Sequence, residues 1–131
     1  MYQSRHQGPR AEYRYQQGQR VTAAPCLAEK YLKLKSLTVN AGYYAPAGLI
    51  KYRQLTYAVN IDHAKSVFRL NCSNDECVQG DHELTEEIAK AIAHGTKIVA
   101  GELCCSGWQN KAAIQKTKCN HVLRYQLKLG Y

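Results

Sequence analysis

Alternating apolar and polar residues predict β-strands along much of this chain. Residues 32–35 and 37–40 alternate leucine or valine with polar side chains, and the phase slips at Ser36, which predicts a bulge or bend between two strand segments. The Gly- and Pro-containing stretch 41–48 predicts a loop. Further strand-like segments follow at residues 55–61, 67–70, 97–103 and 123–129.

One segment has the features of a helix, over about residues 85–94. Thr85 is a suitable N-cap, Ile88 and Ile92 share a face one turn apart, and Gly95 is a typical C-terminal stop. Parallel crossovers would require strands and helices to alternate along the chain, and they do not alternate here. The pattern therefore predicts an α+β fold, with a mainly antiparallel sheet of five or six strands and one helix.

The first 25 residues differ from the rest in composition. They are rich in Gln and Arg, and Val21 is their only branched aliphatic residue. So little apolar surface cannot offset the entropy lost on ordering a segment. We therefore expect residues 1–25 to form a basic, disordered tail, and residues 26–131 to form a single small α+β domain.

The chain contains six cysteines, whose interpretation depends on the compartment. The opening residues lack the apolar segment of a secretory signal, and no apolar run approaches the roughly 18 residues of a membrane span. We therefore expect a cytoplasmic protein with reduced thiols and no membrane partner. In a reducing compartment, clustered cysteines indicate a metal site or a catalytic site before they indicate disulfides.

The cysteine spacing predicts a structural metal site within residues 72–121, with zinc as the expected metal. The expected ligands are Cys72, Cys77, Cys105 and Cys119, in the spacing C-x4-C-x27-C-x13-C. This spacing is wider than the tight cysteine pairs of a standard zinc ribbon. The arrangement, with a helix between two cysteine clusters, is similar to a zinc ribbon in architecture only, and the similarity implies no activity.

Several residues compete for places in this ligand set. Cys105 is in phase with Leu103 on the preceding strand, whereas the adjacent Cys104 is in phase with exposed positions, so Cys105 is preferred. His82 and His121 lie close to Cys77 and Cys119 in sequence, and either could replace one cysteine in a Cys3His site. Buried free cysteines and a disulfide scaffold remain open as alternatives.

The formal net charge of +8 is concentrated in the N-terminal half. Residues 1–70 contain eleven Lys and Arg against three acidic residues, whereas residues 71–131 contain seven of each. One-sided positive charge with interleaved tyrosines is typical of proteins that bind single-stranded nucleic acid, although solubility alone also favours charged strand faces. The candidate nucleic-acid contacts are Arg14, Lys33, Lys35, Lys51, Tyr52 and Arg53.

Three functions are compatible with these features. The favoured one is a small non-enzymatic module, stabilised by zinc, that binds nucleic acid through its basic, tyrosine-rich N-terminal half. The first alternative is a protein-interaction or assembly subunit with a structural zinc, because Tyr and Arg are also enriched at protein interfaces. The second is a thiol or redox enzyme that uses Cys104 and Cys105, although adjacent cysteines form a strained disulfide.

Overall fold

The fold is a four-stranded antiparallel sheet with a helix on one face and two small β-ribbons, as seen in a computed structural model that describes residues 7–72, 77, 80–105, 107–109 and 117–131. In chain order the helices are α1 (Gln7–Ala23), α2 (Leu27–Lys30) and α3 (Thr85–Ala93), with a 3-10 turn at Pro46–Gly48. The strands are β1 (Ser36–Tyr44), β2 (Lys51–Val59), β3 (Arg69–Asn71), β4 (Asp81–Glu83), β5 (Ile98–Cys104), β6 (Trp108–Gln109), β7 (Thr117–Lys118) and β8 (Val122–Gly130).

The main sheet has the strand order β2-β1-β8-β5, and its central strands supply the core. Alternate residues of β1 and β8, such as Val39 and Leu127, are fully buried on one face and lie opposite each other in register. Ile88 of α3 and Leu84 cover this face and are also fully buried. The opposite face of the sheet, called the open face below, presents mainly polar side chains. Among the described residues, the helix positions of the core cluster do not lie on this face.

The expected mixed α+β class and the mostly antiparallel sheet are confirmed, but the predicted five or six strands in one sheet and the single predicted helix are wrong, because the described chain has three α-helices. The main sheet holds four strands, while β3–β4 and β6–β7 form separate two-stranded ribbons. Residues 41–44, predicted as a loop, belong to β1 because β2 and β8 pair with this strand on both sides. Residues 32–33 form a turn, and the chain enters the sheet only at Ser36.

Helix α3 confirms the predicted helix, although it begins differently. The N-cap is Leu84, and the Thr85 hydroxyl accepts a hydrogen bond from the backbone N–H of Phe68 at 2.9 Å. This contact joins the helix start to the segment before β3. Gly95 follows the helix with φ +65°, a conformation that glycine adopts readily, as the sequence predicted.

The predicted disordered tail is wrong for residues 7–23, which form α1. Residues 1–6 of that prediction lie outside the described residues. The helix is held by polar contacts with the β3–β4 ribbon: the Tyr13 hydroxyl donates to Asp81 at 2.8 Å, and Arg20 forms an ion pair with Glu83 at 2.8 Å. The sequence argument weighed only apolar surface, and therefore missed this docking. None of the described helices has the length and apolarity needed to cross a membrane.

Candidate metal centre

Three separate segments bring four cysteines together at one end of the core. Cys72 follows β3 directly, and Cys77 lies in the connection from β3 to β4. Cys105 follows β5, and Cys119 lies between β7 and β8. Cys72, Cys105 and Cys119 therefore lie directly after the ends of strands, where backbone pairing fixes the direction in which the chain leaves the ribbon or sheet.

The four sulfur atoms form a tight, buried cluster. All lie within 4.8 Å of one another, with 3.5 Å between the sulfurs of Cys72 and Cys119 and 3.6 Å between those of Cys77 and Cys105. Four sulfurs arranged tetrahedrally about 2.3 Å from a zinc ion would be about 3.8 Å apart. The side chains are at most 3% exposed, and all four are free thiols. The cluster could therefore hold a metal ion.

Two glycines line the cluster and leave the space that its sulfur atoms occupy. A Cβ atom on Gly80 would come within 3.0 Å of the sulfurs of Cys77 and Cys105, and one on Gly107 would lie 2.6 Å from the Cys77 sulfur. Real Cβ atoms do not approach other heavy atoms so closely, so only glycine allows the backbone to pass this near the sulfurs. The donor set and the space around it thus suit a thiolate-bound ion.

Hydrogen-bond donors are directed at two of the sulfurs. The backbone N–H of Gly107 donates to the Cys105 sulfur at 3.4 Å. Nδ1 of His121 lies 3.3 Å from the Cys119 sulfur and 3.0 Å from the Cys119 carbonyl oxygen, and in the tautomer that carries its proton on Nδ1 it faces both acceptors. Asn120, between Cys119 and His121, has φ +52°, which allows these two side chains to converge. Donors of this kind stabilise negative charge on a thiolate sulfur.

The thiols affect one another strongly. Hydrogen bonds from Cys105, Cys119 and Cys77 lower the pKa of Cys72 far below its usual range. Hydrogen bonds within the same cluster raise the pKa values of Cys77 and Cys105. Without a cation, therefore, one thiolate is stabilised at the expense of its neighbours, whereas a divalent ion would favour all four thiolates together.

The competing ligand candidates lie outside the group of four. Cys104 ends β5 in register with Val122 and is exposed, whereas Cys105, the next residue, is buried, so the two side chains point in different directions. This geometry disfavours a catalytic Cys104–Cys105 pair. His121 contacts the Cys119 sulfur, and His82 is buried beside the cluster, yet neither belongs to the group whose donor atoms meet.

The sequence did not identify Gly80 or the positions of the two histidines around the cluster. Gly80 follows Cys77 by three residues, and this short Cys-to-Gly spacing was an available signal for a close backbone approach. Comparison of the chain with family models, curated proteins and solved structures gives no match. A functional assignment therefore depends on the geometry of the centre and of the surfaces around it.

The six predicted nucleic-acid residues do not form one surface. Lys33 and Lys35 precede β1, while Lys51, Tyr52 and Arg53 begin β2 at the other end of β1, so a strand of nine residues, about 27 Å long, separates the two groups. Arg14 lies on α1 and is exposed.

The side chains of the second group, Lys51, Tyr52 and Arg53, also point to different sides of the sheet. Lys51 pairs with Tyr44 and reaches Gln54 on the open face. The Arg53 guanidinium lies 5.7 Å from the Tyr43 ring centroid, on the core side of the sheet. The Tyr52 ring packs edge-on against His121, with 5.8 Å between the centroids. The start of β2 therefore adjoins the cysteine cluster.

A different basic site occupies the open face of the sheet. The Arg124 guanidinium stacks on the Tyr44 ring at 4.4 Å, and Gly42 lies opposite both Gln54 and Arg124 in register. Because Gly42 has no side chain, the surface forms a depression of about 290 Å³. Its rim includes three side-chain amides, those of Asn40, Gln54 and Gln126. The sequence could not reveal this site, because it depends on the register of three strands.

Proposed function

We propose that this protein is a small, non-enzymatic binding module in which zinc at the four-cysteine centre stabilises the C-terminal half. Four buried cysteine sulfurs at mutual distances of 4.8 Å or less carry the metal part of this proposal. Zinc is the commonest ion with a tetrahedral four-sulfur preference that matches this donor set. Four protein ligands also close the coordination sphere, which favours a structural role over a catalytic one.

We further propose single-stranded nucleic acid as the partner of the open face. The observation that carries this proposal is the stack of Arg124 on Tyr44 on the sheet face opposite the core. Exposed aromatic rings stack on bases, and adjacent guanidinium groups neutralise phosphates or stack in turn. Arg124 is half-exposed, with 46% of its side chain accessible, and its Nε donates to Glu102 at 2.9 Å, so a phosphate would compete with this exposed ion pair for the guanidinium.

The surroundings of this stack suit a base and a phosphate. The amides of Asn40, Gln54 and Gln126 lie on the rim of the depression; Gln54 donates to Asn40 and accepts from Lys51, so a base would use the remaining donors and acceptors of these amides. Lys51 lies beside them, and the overall charge of +8 attracts a polyanion over a longer range. We propose that the interface lies at the Tyr44 end of β1. Lys33 and Lys35 lie at the other end of β1, outside this interface.

The test is direct binding of labelled single-stranded RNA and DNA oligonucleotides at several salt concentrations, together with zinc analysis of protein purified without added metal. We expect about one zinc per chain, and an affinity that falls with log salt by roughly 0.7 units for each phosphate contact. No detectable binding at low salt would exclude the nucleic-acid part. A metal-free but folded protein would exclude the zinc part.

A protein partner is the second candidate, favoured by one observation. Leu49 and Ile50, in the connection between β1 and β2, have exposed fractions of 86% and 67%. Adjacent apolar side chains with such exposure are unusual unless a partner covers them. A double substitution of both residues by serine separates the two candidates, because it should weaken a protein complex and leave oligonucleotide binding unchanged.

We expect the module to work in a reducing compartment such as the cytoplasm. All six cysteines are free thiols, and the four of the cluster are required as thiolates by the proposed zinc site. An oxidising compartment would convert such a cluster to disulfides in competition with metal binding. Fractionation of cells that express the protein would test this location.

A further inference from the structure

His82 is a buried polar residue that the fold alone does not explain. The residue is 1% exposed, and within the described part of the chain neither ring nitrogen has a hydrogen-bond partner. A neutral imidazole has one donor and one acceptor, and burying both without a partner is unfavourable. A leucine or phenylalanine would fill the same space without this penalty.

The ring lies between the core and the cysteine cluster. His82 is the central residue of β4 and pairs with Leu70, two residues before Cys72. The Tyr43 ring packs against it edge-on, with 6.1 Å between the centroids. Because residues two apart on a strand share a face, Cys72 lies diagonally across the ribbon from His82, on the same side as Leu70, and both side chains are buried.

Two other sulfurs of the cluster already have N–H donors. Gly107 supplies its backbone N–H to Cys105, and His121 places Nδ1 beside Cys119. A zinc ion with four thiolates carries a net charge of −2, which is costly in a buried site unless donors point at the sulfurs. Within the described residues the contact of the Cys72 sulfur is with the sulfur of Cys119, whose thiol loses its proton when the metal binds.

We propose that His82 is a positioning residue of the metal centre, donating a ring N–H to the Cys72 thiolate in the metal-bound protein. The inference rests on the zinc site proposed above. In the metal-bound protein all four ligands are thiolates, and the buried imidazole N–H has a charged acceptor in the Cys72 sulfur, a partner that it lacks among the described residues. His82, His121 and Gly107 then supply N–H donors to three of the four ligands from different sides.

The first experiment compares zinc affinity in three variants by competition with a chelator. His82→Phe keeps an aromatic ring against Tyr43 but has no donor, whereas His82→Gln keeps an N–H donor. His94→Gln, on an exposed histidine at the end of α3, is the matched control. We expect His82→Phe to lower zinc affinity by about 10- to 100-fold and His82→Gln to restore most of it, while His94→Gln has no effect.

A second measurement uses the unmodified sequence and does not depend on how the variants fold. In wild-type protein loaded with ¹¹³Cd, NMR should detect a coupling between the metal and the His82 ring N–H proton through the Cys72 sulfur. A wild-type protein that binds one metal but lacks this coupling, or a His82→Phe variant with wild-type affinity, would overturn the inference alone. A wild-type protein that binds no metal would instead overturn the proposed zinc site, and this inference with it.

Discussion

The backbone N–H of Cys105 donates a hydrogen bond of 2.8 Å to the carbonyl oxygen of His121. A second backbone hydrogen bond, from Cys119 to Gly107 at 3.0 Å, runs alongside it. These two bonds join the segment after β5 to the segment before β8 without using any side chain. The spacing between the sulfurs of Cys105 and Cys119 is therefore set by the backbone before a metal binds.

Replacing any one of the four clustered cysteines by serine should remove the metal and severely lower the stability. The binding free energy of a structural zinc is about 10 to 16 kcal/mol at neutral pH, and in a small domain most of it supports folding. Thermal melts and zinc analysis of Cys72→Ser, Cys77→Ser, Cys105→Ser and Cys119→Ser would measure the effect.

Cys26→Ser and Cys104→Ser are the matched controls for these variants. Both residues lie outside the cluster, so we expect one zinc per chain and a nearly unchanged melting temperature. Equal and mild effects at all six positions would contradict the metal centre, and would indicate ordinary packed thiols.

Alanine at Gly80 or Gly107 should weaken metal binding while leaving every cysteine in place. The added Cβ would collide with the Cys77 sulfur in both variants, so the sulfurs must move apart. We expect at least a tenfold loss of zinc affinity, measured by chelator competition. Gly18→Ala is the control, because no atom lies within 4 Å of the added carbon and alanine favours helix α1 by about 1 kcal/mol.

How far the sequence predicts this fold depends on which residues interact locally. Strand β8 was predictable because Leu123, Tyr125, Leu127 and Leu129 all face the core, and a single buried face leaves a period of two in the sequence. The extension of β1 through Gly42 was not predictable, because it depends on pairing with β2 on one side and β8 on the other.

The same distinction applies to the candidate centre. The four cysteines were chosen from their clustering, and Cys105 was chosen over Cys104 from the phase of β5; both are local properties, and the structure brings together the same four residues. The roles of Gly80 and His82 depend on how the β3–β4 ribbon approaches β5 and β8. That approach is a tertiary contact, so it leaves no signal in the spacing of residues along the chain.

The contact between α1 and the β3–β4 ribbon should depend on the protonation of Tyr13. Burial, and then the hydrogen bond to Asp81, raise the pKa of Tyr13 to about 12 from a usual value of 10.0. The folded state thus favours the protonated phenol. This contribution to stability is complete below pH 10, and is lost as the pH rises toward 12.

Tyr13→Phe isolates this contribution. We expect the variant to be less stable than wild type by about 1 kcal/mol at pH 8, the typical value of one hydrogen bond. The difference between the melting temperatures of the two proteins should shrink as the pH rises above 10. A constant difference across this range would show that the hydroxyl contact makes no pH-dependent contribution.

Oligonucleotide binding should depend on the Arg124–Tyr44 stack more than on basic residues elsewhere. Tyr44→Leu removes one stacking surface, for which we expect a loss of about 5- to 150-fold in affinity, and Arg124→Gln should also reduce the salt slope by about 0.7. Lys35→Gln, at the far end of β1, is the control for a general loss of charge. Equal losses in Arg124→Gln and Lys35→Gln would contradict a localised interface.

Alkylation should divide the six cysteines into two classes. In the metal-bound protein we expect Cys104, which is exposed, and Cys26, which is half-buried, to react with iodoacetamide, while the four clustered thiols are protected. Addition of a chelator should expose all six to modification, as counted by mass spectrometry. Rapid reaction of Cys105 in the metal-bound protein would instead support a thiol enzyme.

The distribution of the cysteines along the chain has a consequence for synthesis. Cys72 meets Cys119 across 47 residues, and closing a loop of that length costs about 3 to 4 kcal/mol of chain entropy. A nascent chain that ends before Cys119 holds at most three ligands, and it also lacks β8, the central partner of β1 and β5. Metal capture and completion of the sheet therefore both await the synthesis of residues 119–130, and a product truncated before them can keep neither.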